Sequence, residues 1–170
     1  MFLSVIKDFC VKRILNNNLH NVKHSTSEQS VKTVGIIVDQ SYFLETDKLI
    51  NAIVKNGIPR DAIAILVFND KQTKAATYPV IKHADLGWNA QVNGIMASDF
   101  LNKKFDLLIS YYELDRGILL AATFHSKAHF KVGFAAIDKR YNDLIIQSKL
   151  SEVTVFIQEV FKYLKILNKI

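Results

Sequence analysis

The sequence predicts an α/β fold: a three-layer α/β/α sandwich around a mostly parallel sheet of about five strands, preceded by a basic amphipathic helix. Three apolar runs carry the prediction. They are Val34-Gly35-Ile36-Ile37-Val38-Asp39, Ala62-Ile63-Ala64-Ile65-Leu66-Val67-Phe68 and Phe105-Asp106-Leu107-Leu108-Ile109-Ser110. Continuous β-branched and aliphatic runs of this length suit strands covered on both faces, as in parallel sheets. Helical patterns lie between them, and that alternation makes right-handed β-α-β units. Rossmann-like and flavodoxin-like strand orders both fit the pattern.

With 170 residues, 49% of them apolar, the chain suits one domain with a substantial core. The single cysteine, Cys10, excludes an intrachain disulfide and a cysteine-based zinc site. It fits a reducing compartment. No apolar stretch approaches the roughly 18 residues of a membrane span. Met1 to Asp8 lacks the pattern of a secretory signal. The expected location is the cytoplasm.

The net charge of +6 is unevenly placed. Residues 1–32 hold five Lys/Arg against two Asp/Glu, residues 139–170 hold six against three, and residues 33–138 hold eleven of each. The two ends therefore carry the excess. Such a surface attracts phosphate or anionic lipid, or simply keeps the protein soluble. Nucleic acid is not expected, because the basic groups are few and no recognised module is present.

The chain divides into a basic amphipathic helix over 1–18, a polar linker over 19–32 and a single α/β domain over 33–170. In the first helix Val5, Ile6, Phe9, Cys10 and Ile14 recur at helical spacing, and Asn16-Asn17-Asn18 favours termination. A helix near 45–56 ends at Asn56-Gly57, with Pro59 beyond. Tyr78-Pro79-Val80-Ile81 reads as a short edge strand, because proline is excluded from central strands. A short helix begins at 97–101 with Ser98 as its cap. Another runs near 114–126. Strands follow at 130–134 and, briefly, at 144–146. A final helix spans about 152–168, capped by Ser151, with Val153, Phe156, Ile157, Val160, Phe161 and Leu164 on one face.

Ligands of open parallel sheets bind beyond the carboxyl ends of the strands. Asp39 and Asp70 end the first two strands and are the candidate catalytic carboxylates, for acid–base work or for a hard cation. The same residue type also caps turns. Candidate ligand-binding residues are Ser41, Trp88, Tyr111, Tyr112, Asp138 and Arg140. Trp88 suits either stacking on a ligand or anchoring its loop, and the Tyr111-Tyr112 pair has the same two readings. No glycine lies between Asp39 and Gly57, so a dinucleotide fingerprint is absent, as is a Walker loop. His20 with His24, and His125 with His129, have helical metal spacing but no supporting motif. Neither a metal nor a cofactor is expected. Lys127, His129 and Lys131 alternate and suggest a small basic stripe, or an edge strand protected by lysine.

The basic N-terminal helix, Gly-Ile-Ile-Val-Asp at 35–39, the Asp85-to-Trp88 loop, Phe-Asp-Leu-Leu-Ile at 105–109 and Phe161-Lys162-Tyr163-Leu164-Lys165 together resemble a family of short conserved bacterial proteins of unknown function. That likeness implies no activity. A second one covers about 30 residues. Phe105 to Ile109, Gly117-Ile118-Leu119-Leu120-Ala121, Ala128 and Lys131-Val132-Gly133-Phe134 are similar to the N-terminal half of heptosyltransferase-like GT-B glycosyltransferases. Those enzymes carry the nucleotide-sugar on a second Rossmann-like domain, for which this chain has no room. Their glycine-rich start is missing before Asp39. The resemblance therefore implies the fold more than the activity, and makes Asp39 a candidate base position.

The expected function is a non-catalytic cytoplasmic binding or interaction module, with a protein or a small anionic ligand as partner. One alternative is a small enzyme acting on a phosphorylated or glycosyl substrate through Asp39 and Asp70. Another is peripheral association of the N-terminal helix with an anionic membrane surface.

Overall fold

A computed structural model describes residues 2–21, 29–71 and 76–170. The strands are β1 (Val34–Asp39), β2 (Ile63–Phe68), β3 (Val80–Ile81), β4 (Leu107–Tyr111), β5 (Phe130–Phe134) and β6 (Leu144–Ile146). The helices are α1 (Phe2–Asn18), α2 (Thr46–Lys55), α3 (Ile95–Asn102), α4 (Gly117–His125) and α5 (Val153–Ile166). All strand pairs are parallel, in the order β3-β2-β1-β4-β5-β6. This is the doubly wound Rossmann order, with its switch point between β1 and β4. The sixth strand comes from the two short outer strands, whose patterns are weakest because they are half-covered.

β1 and β4 are buried along their whole length, as their unbroken apolar runs require. Alternate residues supply two cores. Val34, Ile36 and Val38 pack with α2 and α5 through Leu49, Ile53, Phe156 and Val160. Ile37 and Leu108 pack with α1, α3 and α4 through Val11, Leu15, Phe100 and Ile118.

The first seven residues of α4, Gly-Ile-Leu-Leu-Ala-Ala-Thr, are all buried. A helix apolar on every side needs cover on both faces. The sheet covers one and α1 the other, through Val11, Leu15 and the adjacent Leu19. The packed face of α1 is not the one that Val5, Ile6, Phe9, Cys10 and Ile14 mark out at helical spacing. Val5 and Phe9 are exposed, and Ile14 is half-buried. Apolar residues lie on both sides of α1, so the packing surface of α4, rather than periodicity, selects the face.

The segment read as a polar linker, 19–32, is described only at its two ends. Residues 22–28, with His24, lie outside the described residues. On either side of them the chain is pinned. Leu19 is buried, and the Val31 amide donates to the Lys169 carbonyl at 2.7 Å. Asp106 accepts from the amides of Lys32 and Thr33 and from Thr33 Oγ1, all within 2.9 Å. Burial opposes ionisation of Asp106, but these donors outweigh it and hold its carboxyl below the ordinary value.

Three helix starts differ from the sequence reading. α3 begins at Ile95 rather than near Ser98, because Gly94 turns the chain at φ +109°, a conformation open to glycine. α4 begins at Gly117, three residues later than expected, and α5 at Val153 after Glu152 rather than Ser151. The proposed Lys127-His129-Lys131 stripe does not form. Only Lys131 lies within β5, which is an interior strand, and its ammonium turns inward to the Thr123 carbonyl at 2.6 Å. No described helix is long and apolar enough to cross a membrane.

Candidate functional site

The switch point between β1 and β4 places Asp39, the last residue of β1, at the base of a crevice. Asp39 is buried. Its Oδ1 accepts from the Ser41 amide at 2.9 Å, which closes the turn after the strand. Its Oδ2 accepts from Arg116 Nε at 3.0 Å. Arg116 immediately precedes α4. Its guanidinium lies over the rings of both Tyr42 and Phe68, 5.4 Å and 5.2 Å from their centroids. Its two terminal nitrogens have no hydrogen-bond partner among the described residues.

Asp70 follows β2 and accepts from the His83 amide at 2.7 Å and from His83 Nδ1. Burial pushes the Asp70 carboxyl up, but His83 and the more distant charge of Arg116 outweigh it and hold it below its ordinary value. The fold therefore gathers both candidate carboxylates around Arg116. It commits each of them to a partner.

α1 closes the far side. Asp8 Oδ1 accepts from the Gly117 amide at 2.6 Å. Lys12 bridges Asp8 at 3.0 Å and Asp115 at 3.4 Å. The first turn of a helix carries unsatisfied amides and partial positive charge, and doubly wound proteins commonly present such an end to phosphate. Here a carboxylate of the same chain occupies it.

Two cavities open over this arrangement. One, of about 400 Å³, is lined by Val5, Lys12, Tyr42, His83, Leu114 and Arg116, among others. The second, of about 280 Å³, lies between Asp39, Tyr42, Glu113, Leu114 and Leu150. Glu113 Oε1 accepts from the Leu150 amide at 3.1 Å. No three described His, Cys, Asp or Glu residues converge as a metal site.

The remaining candidates are scattered. Ser41 is exposed in the turn after β1. Trp88 is 54% exposed, while Leu86 and Ala90 are the buried anchors of its loop. His125 Nε2 bonds to the Ala90 carbonyl at 2.8 Å and holds that loop from α4. Tyr111 and Tyr112 differ from the stacking expectation, because both rings are wholly buried. The Tyr111 hydroxyl donates to the Leu150 carbonyl at 2.7 Å, and its ring packs on Phe43, Phe134 and Phe156. The Tyr112 hydroxyl joins Thr123 Oγ1 at 2.6 Å. Burial pushes both phenols well above their ordinary value. Asp138 and Arg140 pair with each other, and Arg140 Nη2 reaches Asn16 Oδ1 on α1. They lie beyond β5 and act as a clasp for α1.

Sequence reasoning did not select Arg116, His83 or Asp8 as site residues. Arg116 had a usable signal, being a cation just before a helix that follows a buried strand. Asp8 had none, because its partner is more than a hundred residues away.

No curated protein and no solved structure matches the chain. A family model does match, over residues 7–167, and it spans every element just described except the first turns of α1. The chain belongs to DUF6913, a family of unknown function.

Proposed function

We propose that this protein is a non-catalytic cytoplasmic module that binds a small anionic molecule with an apolar body in the crevice between β1 and β4. One observation carries the reading. Arg116 is fixed by Asp39 and by two aromatic rings, and its terminal nitrogens, on the wall of a ligand-sized cavity, have no hydrogen-bond partner among the described residues. A guanidinium held in this way is pre-organised for a carboxylate or phosphate. Tyr42 and Leu114 supply the apolar walls. The acids that would do chemistry are already paired. The local likeness of residues 105–134 to the N-terminal half of GT-B glycosyltransferases is in keeping with a half-site that binds without reacting.

The test is thermal stability against a panel of sugar phosphates, nucleotides and nucleotide-sugars. A ligand at 100 times its dissociation constant adds about 2.7 kcal/mol. A selective shift is expected, reduced in Tyr42→Ala and lost in Arg116→Gln. A flat panel, or a shift that both variants retain, refutes the reading.

A second reading has its own observation. His83, oriented by Asp70 through Nδ1, lines two cavities and has the arrangement of a general base. Turnover of any phosphorylated or glycosyl panel member that disappears in Asp70→Asn would favour this enzyme.

A further inference from the structure

We propose that the first turns of α1, together with Trp88, form a foot that docks on an anionic lipid surface. Phe2, Leu3, Val5 and Phe9 are each at least 65% exposed, and Ile6 is exposed beside them. At about 100° per residue, Val5, Phe2, Ile6 and Leu3 sweep about 160° of the helix circumference. A single neighbouring helix typically meets a stripe of about 100° or somewhat more. A bed of headgroups and acyl chains covers the wider arc. Trp88 adjoins this patch, sharing a cavity of about 320 Å³ with Leu3, Lys7 and Leu86. An exposed indole beside an apolar helix suits the membrane–water boundary.

The charges of α1 select the lipid. Its cations are Lys7, Lys12 and Arg13, and its only acid is Asp8. Asp8 is turned inward to Gly117 and Lys12. Lys7 and Arg13 form no ion pair among the described residues. The apolar patch is therefore flanked by uncompensated positive charge, which complements anionic headgroups. Val11 and Leu15 stay packed on α4, so docking needs no unfolding of the body. This inference stands apart from the crevice reading: Val5 alone of the foot also lines the larger cavity, whereas Arg116 and Tyr42, which would hold the small ligand, lie outside the foot.

The experiment is flotation of the full chain with phosphatidylcholine vesicles, with and without phosphatidylglycerol. Emission of Trp88, the sole tryptophan, is followed in parallel. Flotation and a blue shift are expected with the anionic vesicles only. Phe2→Ser with Val5→Ser should lower partitioning about tenfold or more at an unchanged melting temperature. Lys7→Glu with Arg13→Glu should abolish the preference for phosphatidylglycerol. Absence of flotation, or equal flotation on neutral vesicles, overturns the proposal. So does a dimer that Phe2→Ser with Val5→Ser converts to monomer, which would give the patch to a second copy.

Discussion

Asp8 and Gly117, on elements a hundred residues apart in sequence, meet so closely that a methyl group would not fit between them. A Cβ on Gly117 would lie 2.5 Å from Asp8 Oδ1. The carboxylate fills the amino end of α4 and fixes α1 over it. Asp8→Ala should cost about 1–2 kcal/mol, as loss of a charged N-terminal cap does. Gly117→Ala pushes that carboxylate off the helix end, so it should cost up to about as much in the wild type but less when Asp8 is already alanine. Urea unfolding of the four proteins measures the coupling, and simple additivity would exclude a direct contact.

The Asp39–Arg116 pair is expected to behave asymmetrically. Arg116→Ala leaves a buried carboxylate unpaired and should cost about 3 kcal/mol. Adding Asp39→Asn should recover part of that loss, because the neutral amide needs no counter-charge. Chemical denaturation of the single and double variants decides it. A double variant no more stable than Arg116→Ala would contradict the pairing.

Acid should loosen the entry to β1. The folded pKa of Asp106 lies below its ordinary value of 3.8. Its stabilising effect is thus complete above the unfolded pKa and is lost as pH falls through the folded one. Asp70 and Asp138 act in the same direction. Thermal melts should be insensitive to these groups above about pH 5 and fall steeply below about pH 4. Asp106→Asn should flatten part of that slope.

The alkaline side should show the opposite trend. Burial lowers the Lys131 pKa from 10.5 to about 8, against the opposing charge of Asp143. Between those values the unfolded chain holds a proton that the folded chain has released, so stability rises with pH. Above about pH 10 the gain reverses. The unfolded tyrosines then ionise, whereas burial holds Tyr111 and Tyr112 protonated and pushes Tyr141 up to about 12. Lys131→Met should remove the rise and leave the fall, as melting temperature against pH would reveal.

Much of the sheet was legible because burial on both faces leaves a strong mark. Val34 to Asp39 and Phe105 to Ser110 read as strands from composition alone. β3 and β6 were faint, since a two- or three-residue strand at an edge carries too few side chains for a pattern. Asp39 and Asp70 were legible as strand-end residues. Their partners Arg116 and His83 were not, because pairing across strands depends on strand order.

The sequence by itself determined the fold class, the parallel strands and the charge imbalance between the ends and the middle. These follow from local composition and periodicity, which each segment carries alone. Only the tertiary structure decided the order β3-β2-β1-β4-β5-β6, the face that α1 turns to α4, and the burial of Tyr111 and Tyr112. Such features arise when distant segments compete for the same apolar surface. The winner is set by shape, as where Gly117 leaves just the space that Asp8 fills.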